Sequence, residues 1–217
     1  MNLPQTLFFI LVVFTVSSYA ETLIFDKPSS HPYHQSIQRK MENAYSQLGH
    51  KIEYRNIPLK RSYAEAEAEK VDGLMARVKP KKGSLQNLIM LPVPIRKFEV
   101  VLLINTDTCP TCNADNIEYV ASVSGFAALE KIIDNNSLSF DVIFVPERDI
   151  LFRMIANNRV QGIIVSDVLI DAELKAKHPN WKTVVLGHEN LYHFLNKKHS
   201  PIADALTPIL QQMLVDE

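Results

Sequence analysis

Cysteine and glycine are both scarce here: two of the first and six of the second in 217 residues. So few glycines leave no glycine-rich loop, and no G-x-x-x-x-G-K phosphate cradle is present. An excess of either charge is also missing, with 23 Lys and Arg against 24 Asp and Glu and a net charge of −1. That balance argues against nucleic acid or an anionic membrane surface as the main partner. The strongest basic cluster, Lys79, Lys81 and Lys82, reads as a solvated loop. Enzyme signatures are lacking too. No Ser-His-Asp arrangement has local support, no catalytic carboxylates are paired, and SVSGF (residues 122–126) is not G-x-S-x-G. The expectation is a non-enzyme that needs no cofactor.

Long apolar runs are confined to the start. Leu7–Val16 is apolar but short for a membrane span, which needs about 20 residues. No Lys or Arg precedes it, yet Ser18-Tyr19-Ala20 gives the small-x-small pattern of a signal-peptidase site. Residues 1–20 therefore read as a cleaved secretory signal. Glu21 follows rather than cysteine, so a lipid anchor on a cysteine at that site is excluded. Removing 20 residues from 217 leaves 197, enough for one good core or two small lobes, not embedded in a membrane.

Beyond the signal, strands and helices alternate. Leu23–Phe25 is a short strand. Ile37, Met41, Ala44, Tyr45 and Leu48 form one helical face, stopped by Gly49. Strands are expected at Lys51–Ile57 and Gly73–Val78, with a helix over Tyr63–Lys70 between them. Phe98–Asn105 is nearly continuous apolar sequence, as in a strand buried on both faces. Further strands are expected at Tyr119–Val123, Asp141–Val145, Gly162–Val165, Thr183–Leu186 and Tyr192–Leu195. Helices are expected at Phe126–Ile133, around Ile150–Ile155, and more weakly at Val168–Lys177. The last helix has Ser200 as N-cap, Pro201 at its first position, and the face Ile202, Leu206, Ile209, Leu210, Met213 and Leu214. Such alternation predicts an α/β fold with mostly parallel sheets flanked by helices. Ligands then bind at the carboxyl ends of strands, often at helix N-termini.

Three stretches fall in a recognisable order. The first is a strand, Pro32-Tyr33, a helix, a strand, then Arg61 and Asp72-Gly73 before a third strand. The second is Phe98–Asn105, Tyr119–Val123 and Ser124-Gly125-Phe126. The third is NNRVQGIIVSD, Asn157–Asp167, with the Lys-Lys-His-Ser-Pro helix start near the end. The chain thereby resembles the type II periplasmic solute-binding proteins of the amino-acid-binding kind, extracellular solute-binding protein family 3. It is shorter than usual for that family, and VKPKKGSLQNLIMLP after Arg77 departs from the family's T-x-x-R stretch. The resemblance implies a two-lobed architecture: lobe 1 over 21–97, lobe 2 over 98–186, and a return to lobe 1 over 187–217, with a ligand cleft between. It also implies a periplasmic location, an amino-acid-like ligand, and an inner-membrane transporter or sensor as the reader of a monomeric protein.

An amino acid needs a cation for its carboxylate and a carboxylate for its ammonium. A guanidinium suits the first because it donates two parallel hydrogen bonds. By family match, Arg77 is the candidate carboxylate partner and Asp167 the ammonium partner. Ser124 and Gly125 open a helix and could present backbone N–H groups. Tyr33 could pack on the ligand, and Arg61 could reach the cleft. Asp72-Gly73 reads as a turn before a contact. His31 and His34 form H-x-x-H, but no third ligand is placed by sequence, so no metal is expected.

Cys109 and Cys112, in TDTCPTCNAD, are most simply a structural disulfide in an oxidising compartment. A C-x-x-C pair becomes a redox catalyst where it begins a helix after a strand, because the helix N-terminus lowers the first thiol's pKa. A strand does precede this pair, but Asn113–Asn116 is a poor helix. A secreted thiol-disulfide oxidoreductase is therefore the rival class, and an interaction module that binds no small molecule is the third.

Overall fold

The computed structural model describes residues 21–28, 31–80, 83–135 and 140–215. The signal assigned to 1–20, and Lys81 and Lys82, lie outside the described residues, as does the side chain of Leu214.

The first strand, β1 (Thr22–Asp26), leads into α1 (Pro32–Gln47). Proline sits in the first turn of α1, where its missing N–H has no partner to lose. The imidazole of His31 caps the helix by accepting from the Tyr33 N–H at 3.3 Å. Ile37, Met41, Ala44 and Tyr45 are buried, so the predicted face is the packed face. Gly49 follows with φ of +78°, a left-handed conformation that suits glycine and lets the chain turn out of the helix. β2 (Lys51–Arg55), α2 (Ser62–Glu67) and β3 (Gly73–Val78) complete the first third.

Next come β4 (Leu88–Asn105), β5 (Tyr119–Val123), α3 (Ala127–Asn135), β6 (Asp141–Val145), α4 (Arg148–Ala156), β7 (Gly162–Ser166), α5 (Ala172–Lys177), β8 (Trp181–Asn196) and α6 (Ser200–Val215). The eight strands form one sheet in the order β2-β1-β3-β8-β4-β7-β5-β6. Its two ends repeat a design. β1 pairs in parallel with β2 and β3, and β5 pairs in parallel with β6 and β7. Joining them are β4 and β8, 18 and 16 residues long, which run antiparallel to each other and to β7 and β3 respectively. The sheet is thus two parallel triplets bridged by an antiparallel pair.

Three sequence expectations change. The strand expected at Phe98–Asn105 begins ten residues earlier, at Leu88. Pro92 and Pro94 fall in this added part, and proline cannot donate to a ladder. The structure accommodates them with register shifts against β8 between Met90 and Pro94 and between Pro94 and Arg96, and both prolines face outward. The strands expected at Thr183–Leu186 and Tyr192–Leu195 are one strand, β8. Ser200 is also no N-cap: a 3-10 turn at Lys197–His199 leads into α6, and the Ser200 backbone is already helical.

The core follows the pleat. Val100, Leu102 and Ile104 of β4 pack with Val120 and Leu129, whereas Val101 and Leu103 pack with Leu151, Ile155 and Ile163 on the opposite face. Each such side chain contributes roughly 1.5–3 kcal/mol by leaving water. At the other end, α1 and α6 cover Leu23 and Phe25 through Met41, Tyr45, Leu206 and Leu210. Among the described residues no helix is long and apolar enough to cross a membrane.

Candidate functional site

The carboxyl ends of β3, β5 and β7 converge on one cavity, the crevice this topology provides. Its volume is about 90 Å³. Tyr33, Tyr63 and Arg77 line it from the β1–β3 end, Phe126, Arg148 and Ser166 from the β5–β7 end, and Phe98 of β4 from between. Phe98 and Phe126 face each other with ring centroids 6.4 Å apart.

Of the residues singled out by sequence, Tyr33, Arg77 and Gly125 line this cavity, while Arg61, Ser124 and Asp167 do not. The structure gives Arg77 a counter-ion of its own. Its Nη2 pairs with Asp26 Oδ2, its Nη1 donates to the Ala76 carbonyl at 2.8 Å, and its Nε donates to Ser62 Oγ at 3.2 Å. Asp26, only 1% exposed, also accepts the Met75 N–H at 2.8 Å. Burial, and then the charge of Arg148, lower Arg77 to about 10, so it stays charged at neutral pH.

Asp167 is likewise engaged: its Oδ1 accepts the Glu99 N–H at 2.8 Å, pinning the turn after β7 to β4. The Ser124 N–H donates to the Val145 carbonyl at 2.8 Å and serves the β5–β6 ladder rather than the cavity. Gly125 has φ of +81°. A Cβ there would stand 2.5 Å from Lys60 Cα and 2.6 Å from Lys60 N. Lys60 lies in the 3-10 turn Leu59–Arg61 that precedes α2. Gly125 is therefore the point where backbone from the β5–β7 end touches backbone from the β1–β3 end. Arg61 itself is exposed.

Asp72 and Gly73 are structural. The Asp72 carboxylate accepts from the Ile24 N–H at 2.9 Å, from Lys198 Nζ at 2.9 Å and from His199 Nε2 at 2.8 Å, tying the entry to α6 onto β1. A Cβ on Gly73 would lie 2.0 Å from the Phe194 carbonyl oxygen, so only glycine permits β3 to approach β8 here.

The cationic residue that sequence reasoning missed is Arg148, the first residue of α4. It borders this cavity and two neighbouring hollows. Among the described residues it makes no hydrogen bond or ion pair, and Asp149, exposed and next in sequence, acts on it only at a distance. Burial lowers its pKa. A usable signal existed, since VPERD places an arginine where a strand ends and a helix begins, the rule already applied to Ser124.

Tyr33 and His34, beside these cations, are neutral at pH 7. Burial, then Arg148 and His31, lower His34 to about 3. Burial pushes the Tyr33 hydroxyl up to about 12, opposed by the Arg96 charge and helped to a lesser degree by Asp167. That hydroxyl is buried without a hydrogen-bond partner among the described residues, while Arg96 sits over its ring at 5.6 Å. His31 and His34 gather no metal site: among the described residues no three His, Cys, Asp or Glu groups stand together to hold an ion. Cys109 and Cys112 lie in a turn after β4, with Cα atoms 5.3 Å apart, a separation a disulfide spans. No helix starts at the pair.

No protein-family profile matches this sequence, and no curated protein matches it. Solved structures do. An ancestral amino-acid-binding protein described as a precursor of cyclohexadienyl dehydratase shares 15% identity over 91% of this chain and 90% of its own, with a TM-score of 0.70. A substrate-binding protein of an ABC uptake transporter from Streptococcus pneumoniae, solved with bound histidine, shares 10% over 90% and 87%, with a TM-score of 0.74. A periplasmic binding protein of an arginine transport system from Legionella pneumophila shares 13% over 91% and 95%, with a TM-score of 0.72. The chain has the two-lobed fold of the type II periplasmic binding proteins, and it spans nearly the full length of these structures rather than an abbreviated part.

Proposed function

We propose that this chain is an exported, periplasmic binding protein that closes two lobes around a small solute carrying a carboxylate, an amino acid or a derivative of one. One observation carries the reading. Arg148 is a cation at a cavity between the sheet's two ends, without a protein counter-ion among the described residues. A largely buried charge left unpaired is costly, and a ligand carboxylate offers the bidentate partner it lacks. The similar structures, described as amino-acid-binding and uptake proteins, agree with it.

On this reading lobe 1 spans 21–97 and 187–217, and lobe 2 spans 98–186. Register shifts near the 97/98 boundary and a skipped pairing at Leu186 support hinges in β4 and β8. The protein works as a monomer, delivers no chemistry, and presents its closed form to an inner-membrane transporter or sensor. Cys109–Cys112 acts as a structural disulfide: Cys112 is buried against Ile117 and Leu102, and the pair lacks the helix N-terminus that would activate a thiol for redox turnover.

The test is a thermal-shift screen of the mature chain against amino acids, polyamines and small organic acids. A ligand at about 100 times its Kd adds about 2.7 kcal/mol, or roughly 5–10 °C in a chain of this size. No shift with any compound at millimolar concentration rejects the reading.

A further inference from the structure

A free amino acid brings two opposite charges, and the cavity answers one of them. Its charged lining residues are Arg77 and Arg148, and no Asp or Glu stands among the described residues that line it. Nearby carboxylates are engaged or lie outside. Asp26 holds Arg77 and the Met75 N–H, Asp167 holds the Glu99 N–H, and Asp149 is exposed. The Val78 carbonyl at the end of β3, a natural acceptor for an ammonium, already takes the hydrogen bond of the Tyr63 hydroxyl. With Arg77 neutralised by Asp26, the cavity carries one uncompensated positive charge, at Arg148.

The remaining wall is mostly apolar. Leu59, Phe98, Phe126, Ile164 and Leu169 enclose the space beside the two arginines. Two rings 6.4 Å apart suit a flat or branched hydrocarbon tail. An ammonium placed against such a wall would lose its water and find no carboxylate among the described residues that line the cavity.

We infer that the cavity takes a monocarboxylate with an apolar or aromatic tail and no α-ammonium, the deaminated counterpart of an apolar amino acid. Arg148 binds the carboxylate and the Phe98–Phe126 wall takes the tail. The inference rests on the proposed carboxylate-binding role of this cavity and narrows the ligand class for it.

Matched pairs test it on the mature wild-type chain by titration calorimetry. The pairs are 3-phenylpropanoate against phenylalanine and 4-methylpentanoate against leucine, with phenethylamine as the cation alone. The acids should bind at least about tenfold tighter than the amino acids, and phenethylamine should not bind. Arg148→Ala should then weaken the acids about 30-fold or more, the loss expected when one partner of a desolvated charge pair is truncated. Arg148→Lys should recover part of that loss, with ligand-free melting temperatures reporting that both variants fold. Amino acids binding as tightly as their deaminated partners, or tighter, overturn this inference and leave the carboxylate-binding reading standing. Binding by none of the acids or amino acids overturns both.

Discussion

Replacing Gly125 by alanine should prop the cleft open. The substitution acts in two separable ways. The residue sits at φ of +81°, where an alanine costs about 1 kcal/mol relative to glycine in any state that keeps the turn. Over a chain of this length that lowers the melting temperature by about 2–4 °C. The second effect depends on closure. The new methyl would lie 2.5 Å from Lys60 Cα, 2.6 Å from Lys60 N and 3.1 Å from the Leu59 carbonyl carbon. These are backbone atoms, so no rotamer change relieves the overlap, and the two lobes must separate by about 1 Å to restore ordinary contact distances. Closed, ligand-binding populations are penalised accordingly. If the clash raises the closed state by only 1.4 kcal/mol, the apparent Kd rises about tenfold. The assay is calorimetric titration of whichever ligand the screen returns, with small-angle scattering of the ligand-free chain as an independent measure of closure. Lys60→Ala, which shortens the side chain and leaves the clashing backbone, should not rescue Gly125→Ala. Wild-type affinity together with an unchanged scattering profile in Gly125→Ala would refute the assignment of this contact as the closure stop.

Two further outcomes follow from buried groups. His193 is fully buried, donating from Nδ1 to the Met75 carbonyl at 3.0 Å and accepting from the Tyr45 hydroxyl at 2.7 Å. Burial lowers it to about 4 from 6.5. The unfolded chain therefore binds more protons between those values, and stability is fully present above pH 6.5 and lost as pH falls toward 4. The loss is about 3 kcal/mol for this group, and His193→Gln should reduce that slope in melts between pH 7 and 4.5, leaving the share from His34, which is lowered further, to about 3; parallel slopes in wild type and variant would refute it. If Cys109 and Cys112 are joined as proposed, a four-residue loop is closed, and reduction should remove about 2 kcal/mol, read as a lower melting temperature. Insulin-reduction turnover that is lost in Cys109→Ser would instead favour the rival redox class.

The legible part of this protein is local. Periodicity located α1 and its buried face correctly because Ile37, Met41, Ala44 and Tyr45 recur at helical spacing whatever they touch. Continuous apolar sequence marked the inner half of β4 for the same kind of reason, since both its faces are covered. The outer half, Leu88–Lys97, was illegible: Pro92 and Pro94 lie in it, and only the register shifts against β8 accommodate them. For the site, position was read better than partnership. The sequence placed Arg77 and Gly125 at strand ends, and both line the cavity on which those ends converge. Nothing in the sequence shows that Asp26, 51 residues away, has already taken the Arg77 charge. The consequence is that, among the described residues lining the cavity, the cation without a counter-ion is Arg148.

By itself, then, the sequence determined the alternation of strand and helix, the faces that are buried, and which chain segments reach the crevice, because propensity and periodicity act over a few residues. Tertiary structure decided which charges are spent and which remain, and how closely the two ends of the sheet approach at Gly125. Those are through-space properties: an ion pair depends on a few ångströms between residues that the chain keeps far apart, and only the folded sheet sets that distance.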